Sequence, residues 1–114
     1  MSKLTKSFRW ATNGIRTVWR EEVNFRIEFF FGGLAVTLGI YLHVLVLEWM
    51  IIVACIGAVL AAEMMNTAIE DLCNKVEPNI DPAIGKIKDI MGGFVLVVTI
   101  TSVVIGSIIF MSYL

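Results

Sequence analysis

The sequence predicts an all-α integral membrane protein, with an N-terminal amphipathic surface helix followed by three transmembrane helices. Three observations predict it. Residues 29–47, 50–62 and 90–114 contain no Lys, Arg, Asp or Glu, and runs of about 20 residues rising about 1.5 Å each cross a bilayer core. All nine basic residues (Lys3, Lys6, Arg9, Arg16, Arg20, Arg26, Lys75, Lys86, Lys88) fall before the first run or between the second and third. Residues 4–24 place apolar and basic side chains on different helical stripes. The apolar share of 58% and the charged share of 17% lie on the membrane side of what soluble domains show. At 114 residues the chain is a single domain, 1–114.

In the first element, 4–24, Phe8, Ala11, Ile15 and Trp19 recur at three- and four-residue steps, while Arg9, Asn13, Arg16 and Arg20 fall on another stripe. Such a helix suits an anionic cytoplasmic leaflet. Glu22 continues the apolar stripe beyond Trp19, which points it toward the bundle. The spans are predicted at 25–47, 49–75 and 83–113. Tyr41 and Trp49 anchor a short outer turn, and Pro78 and Pro82 bracket the loop 76–82. The second span reaches full length only if its polar end lies at the interface. Gly32, Gly33, Gly92, Gly93 and the Ala54, Ala58, Ala62 series allow close helix approach, or are simply the small residues common in membrane helices.

Charge placement sets the expected orientation. The positive-inside rule puts the N-terminus and the second loop in the cytoplasm and the C-terminus outside. Glu22, the inner end of the second span and the start of the third then meet at one membrane face. Cys55 and Cys73 match no CxxC or zinc spacing and read as reduced, small apolar residues. His43 lies on the outer side, away from any chemistry.

The chemistry concentrates in 61–75, AAEMMNTAIEDLCNK. At 3.6 residues per turn, Glu63, Asn66, Glu70 and Asn74 form one polar stripe. A solvated helix end with interhelical hydrogen bonds accounts for Asp71, Glu77 and Asp81. It does not account for Glu63, whose neighbours Ala61, Ala62, Met64 and Met65 are apolar; intramembrane carboxylates mark functional sites. Burial raises a carboxyl pKa toward the range of a general base. Glu22 and Glu70 can share a hard divalent cation, and Mg²⁺ takes only one or two protein carboxylates. With a lysine for phosphate, these are the parts of phosphoryl transfer. No Walker or kinase Gly-rich loop is present, since Gly85-Lys86 precedes Ile87.

The stretch Glu63-Met64-Met65-Asn66-Thr67-Ala68-Ile69-Glu70 resembles the signature of the prokaryotic diacylglycerol kinase family, whose close relatives phosphorylate undecaprenol. WREEVNFRIE (19–28) and Ile87-Lys88-Asp89 match as well, and the similarity runs from Ser7 into the third span. The resemblance implies a homotrimer in the bacterial cytoplasmic (inner) membrane. It implies MgATP as donor and a lipid alcohol as acceptor, diacylglycerol first and undecaprenol as the alternative. It makes Glu63 the catalytic base, Glu22 and Glu70 the Mg²⁺ ligands, and Asn66 their support at the substrate. It assigns Lys88 to phosphate, Asp89 and Trp10 to the nucleotide, and Arg26 and Glu28 to the lipid. No nucleic-acid partner is implied. Asn74 departs from the pattern, which carries an aspartate there, and bears on the electrostatics of that turn. It is the one feature favouring a different class of function, an inactive membrane scaffold. Ion transport fits less well, because the acids gather at one face and do not line a path across the bilayer.

Overall fold

A computed structural model describes residues 2–114 as four α-helices, with no strand among them. The first, α1 (Lys3–Glu21), starts where the Ser2 hydroxyl accepts from the Thr5 N–H at 3.2 Å, an N-cap that satisfies one otherwise unpaired donor. It stops at Glu22, whose backbone is extended (φ −113°, ψ 109°), and α2 (Val23–Leu42) begins at the next residue. Glu22 alone is therefore the joint. Two contacts hold it bent. The Arg26 guanidinium donates to the carbonyls of Trp19 (2.6 Å) and Arg20 (3.1 Å), satisfying acceptors that a helix C-terminus leaves open. The Trp19 ring stands edge-on to Phe25 and Phe29, with centroids 6.4 and 5.2 Å away.

At 20 residues, α2 is about 30 Å long, just enough to span the hydrocarbon. It ends at Leu42 and not at 47, because His43 adopts the left-handed conformation (φ 53°, ψ 51°). That reversal lets the Val44 N–H reach back to the Gly39 carbonyl at 3.2 Å, and histidine tolerates the region better than most residues. The longest helix, α3 (Val46–Val76), has 31 residues, or about 46 Å. Glu48 caps its start by accepting from the Leu45 N–H at 2.9 Å.

A short loop, 77–81, leads to α4 (Pro82–Met111). Asp81 caps α4 through the N–H groups of Ala83 (2.9 Å) and Ile84 (3.1 Å), with Pro82 at the first position, where a missing N–H costs nothing. At the far end the Tyr113 hydroxyl donates to Glu48, tying the end of α4 to the start of α3. That bond, with burial and the carboxylate charge, pushes the phenol above its ordinary pKa.

α2, α3 and α4 are each long and apolar enough to cross a membrane. α3 is central and packs on both others, while α2 and α4 stand apart across an open cleft of about 670 Å³. The buried cluster Val44, Ile52 and Ile109, with Trp49, Ile56, Ile105 and Phe110 against it, lies toward the far end. Most of α4 is exposed, including Leu96, Val97, Ile100 and Val103, a surface that lipid tails solvate readily. Of the four glycines singled out from the sequence, only Gly32 serves close packing within the described residues; a Cβ there would lie 3.1 Å from Ile56 Cγ2.

The tightest approach is elsewhere. A Cβ on Gly39 would lie 2.8 Å from Trp49 Cη2. Gly39→Ala should cost about 1–3 kcal/mol through overpacking, read as a lower thermal midpoint in detergent micelles. An unchanged midpoint would mean that the indole slides aside freely.

Candidate active site

The joint between α1 and α2 and the second half of α3 come together at the end of the bundle where α1 lies. α3 supplies most of the side chains. Glu63 is only 4% exposed and Thr67 is buried behind it, with the Thr67 hydroxyl donating to the Glu63 carbonyl at 2.9 Å. Asn66 and Glu70 on the same stripe are half-buried. The Asn66 Oδ1 atom is buried with no hydrogen-bond partner among the described residues.

From the joint, Glu22 is half-buried and points at this stripe. Its pKa is raised, first by burial and then by repulsion from Glu70, Glu63, Asp71 and Glu21. One turn and a half further along α2, the Glu28 carboxyl comes close to Glu63. Its Oε2 atom is also buried without a hydrogen-bond partner among the described residues. Carboxyls from α2, from α3 and from the joint between α1 and α2 thus gather at one end of the bundle, and orphaned acceptors lie among them. A buried unpaired acceptor costs about 1–3 kcal/mol, so the site suits a hydroxyl donor or a cation.

Lys88 enters from α4. Its ammonium donates to Asn74 Oδ1 at 2.6 Å, one helical turn beyond Glu70 on the same stripe of α3. The structure therefore brings together Glu22, Glu28, Glu63, Asn66 and Glu70, with Lys88 fastened at the next turn. Asp89 is exposed beside Lys88. Trp10 stands apart on the surface of α1, 67% exposed and about 18 Å along the helix from Glu22. Arg26 is engaged with the α1 carbonyls already described. Sequence reasoning passed over Thr67, although its spacing of four from Glu63 places it on the same face.

A family model described as prokaryotic diacylglycerol kinase matches residues 9–110, from the first turns of α1 almost to the end of α4. The chain belongs to the prokaryotic diacylglycerol kinase family. This is a family of lipid kinases, so the lipid-kinase reading of the sequence holds.

The chain is 32% identical over 111 residues to the undecaprenol kinase of Bacillus subtilis (strain 168), covering 97% of this chain and 90% of that protein. Identity to the diacylglycerol kinase of Escherichia coli (strain K12) is 25% over 112 residues, covering 98% and 92%. A Synechocystis diacylglycerol kinase is 30% identical over 104 residues, covering 90% of this chain and 59% of that protein. With the two proteins named first, the correspondence spans all four helices.

The donor set fits a magnesium ion carried in with phosphates. Among the described residues no three His, Cys, Asp or Glu side chains form a ready-made metal cage. Glu22 does lie near enough to Glu70 to feel its charge. Mg²⁺ asks for no more than that, because water and phosphate oxygens complete its octahedron.

Proposed function

We propose that this chain transfers the γ-phosphate of ATP to the primary hydroxyl of a membrane lipid alcohol. The observation that supports it best is the buried Glu63 carboxyl on a membrane-length helix, with Glu22 near enough to feel the charges of both Glu63 and Glu70. Glu63 takes the proton from the lipid hydroxyl. The freed oxygen attacks the γ-phosphorus in line, the bond to the β-phosphate oxygen breaks, and ADP leaves. Glu22 and Glu70 would hold Mg²⁺, which would neutralise charge on the phosphates. Asn66 orients the acceptor hydroxyl, and Lys88 faces the phosphate oxygens. Asp89 and Trp10 contact the nucleotide. Arg26, from its place beside the α1 carbonyls, and Glu28 flank the lipid headgroup.

The clustering of basic residues at this end supports a cytoplasmic position for it and for the N-terminus, on the side where ATP is found. The protein is then a multi-pass protein of a bacterial cytoplasmic membrane, with α1 lying on the inner leaflet. The exposed apolar surface of α4 and the open cleft beside it support assembly of copies, which we take to be a homotrimer.

The acceptor is diacylglycerol on the sequence reading, while the higher identity to the Bacillus subtilis undecaprenol kinase favours undecaprenol. Purified protein in mixed micelles, given MgATP and both alcohols in competition, separates the two by the identity of the labelled product. Labelling of neither alcohol would remove the proposal.

A further inference from the structure

Lys88 is fastened to a neutral partner in a strongly acidic neighbourhood. Its ammonium bonds Asn74 Oδ1 at 2.6 Å, a contact that clips the last turns of α3 to the early turns of α4 across the loop 77–81. Glu70 and Asp71 precede Asn74 on α3, Glu77 and Asp81 follow in the loop, and Asp89 adjoins Lys88 on α4. Lys75 and Lys86 are the other cations on these segments. Repulsion among the carboxylates is already felt at Glu22. The last turn of a helix is also its negative end, which disfavours a further anion and favours a cation.

An amide oxygen and a carboxylate oxygen can fix an ammonium in the same place, and they differ in what remains afterwards. A carboxylate neutralises the cation. An amide accepts one of its three N–H bonds and leaves the full charge and two donors available. We infer that Asn74 is a positioning residue, holding Lys88 by an uncharged acceptor so that its whole charge faces the phosphates of the nucleotide. This rests on the phosphotransfer reading above.

The test compares Asn74→Asp and Asn74→Ala with the unaltered full-length protein, varying MgATP and the lipid alcohol separately. Asn74→Asp is isosteric and keeps the contact, so it should raise KM for MgATP about fivefold to tenfold. Its kcat should stay within about twofold, and KM for the lipid should not change, a split that a merely structural role would not produce. Asn74→Ala keeps the charge of Lys88 but loses the tether, and should lower kcat about tenfold. An Asn74→Asp protein with unaltered KM for MgATP overturns the inference, as does an Asn74→Ala protein with unaltered kcat. Kinase activity in the unaltered protein alongside either result leaves the phosphotransfer reading standing. Absence of that activity removes both.

Discussion

Glu63→Gln should lower phosphate transfer to the lipid alcohol by roughly two to four orders of magnitude, the usual contribution of a general base. The protein should remain folded, with KM for MgATP close to that of the unaltered enzyme. The argument is one of isolation. Glu63 is 4% exposed on a helix long and apolar enough to cross a membrane, and no other acid on α3 is buried to this extent. The amide has the same shape, so packing is preserved. It also removes one anion from a crowded group, so the thermal midpoint should not fall. Turnover at the unaltered rate would end the assignment of Glu63 as base.

The second large effect concerns magnesium. Glu22→Gln or Glu70→Gln should each raise the Mg²⁺ needed for half-maximal activity by at least about tenfold, a loss common even for groups that only support a metal ligand. Activity alone does not identify the site, so a stability measurement is paired with it. Mg²⁺ without nucleotide should raise the thermal midpoint of the unaltered protein and leave that of the double variant unmoved. The metal-free protein carries its own signature. The pKa of Glu22 is raised by burial and by its neighbours, so the folded state binds this proton more tightly than the unfolded state. The resulting penalty is present at neutral pH and is relieved as pH falls through the raised value toward the ordinary carboxylate range. Mild acidification should therefore stabilise the metal-free protein at this position, and Glu70→Gln should shrink that gain. A midpoint in Glu70→Gln with the same pH dependence as before would contradict the proximity of the two acids.

Much of this architecture was open to inspection in the amino-acid order. Uncharged runs long enough to span hydrocarbon have few alternatives, and the loop before Pro82 announces itself through Pro78, Asn79 and Asp81. The stripe of Glu63, Asn66, Glu70 and Asn74 follows from helical spacing alone. What escaped depends on contacts between elements. Periodicity carries the apolar stripe of α1 straight through Glu22, and nothing local says that Arg26 will reach back to close the helix there. The left-handed turn falls on a histidine and not a glycine, so the end of α2 carries no punctuation. Lys88 meets Asn74 only because the loop length and the rotation of α4 bring them together. Thr67 was legible in position but silent in meaning, since a threonine bonded to its own helix leaves no trace in sequence.

The unequal lengths of α2 and α3 have a consequence for what the site will accept. α3 exceeds α2 by 11 residues, 31 against 20, so on the proposed topology its final turns would stand clear of the oily layer while Glu63 would lie near its edge. Seven residues separate Glu63 from Glu70, which sets them about 10 Å apart in depth. On the proposed phosphotransfer the two reactants would come from opposite directions, one rising from the acyl chains and the other descending from the aqueous side. Glycerol and water, which have no reason to enter the greasy level, should be poor acceptors, and ATP should survive in the absence of lipid. On that reading, vertical position by itself should hold down wasteful hydrolysis.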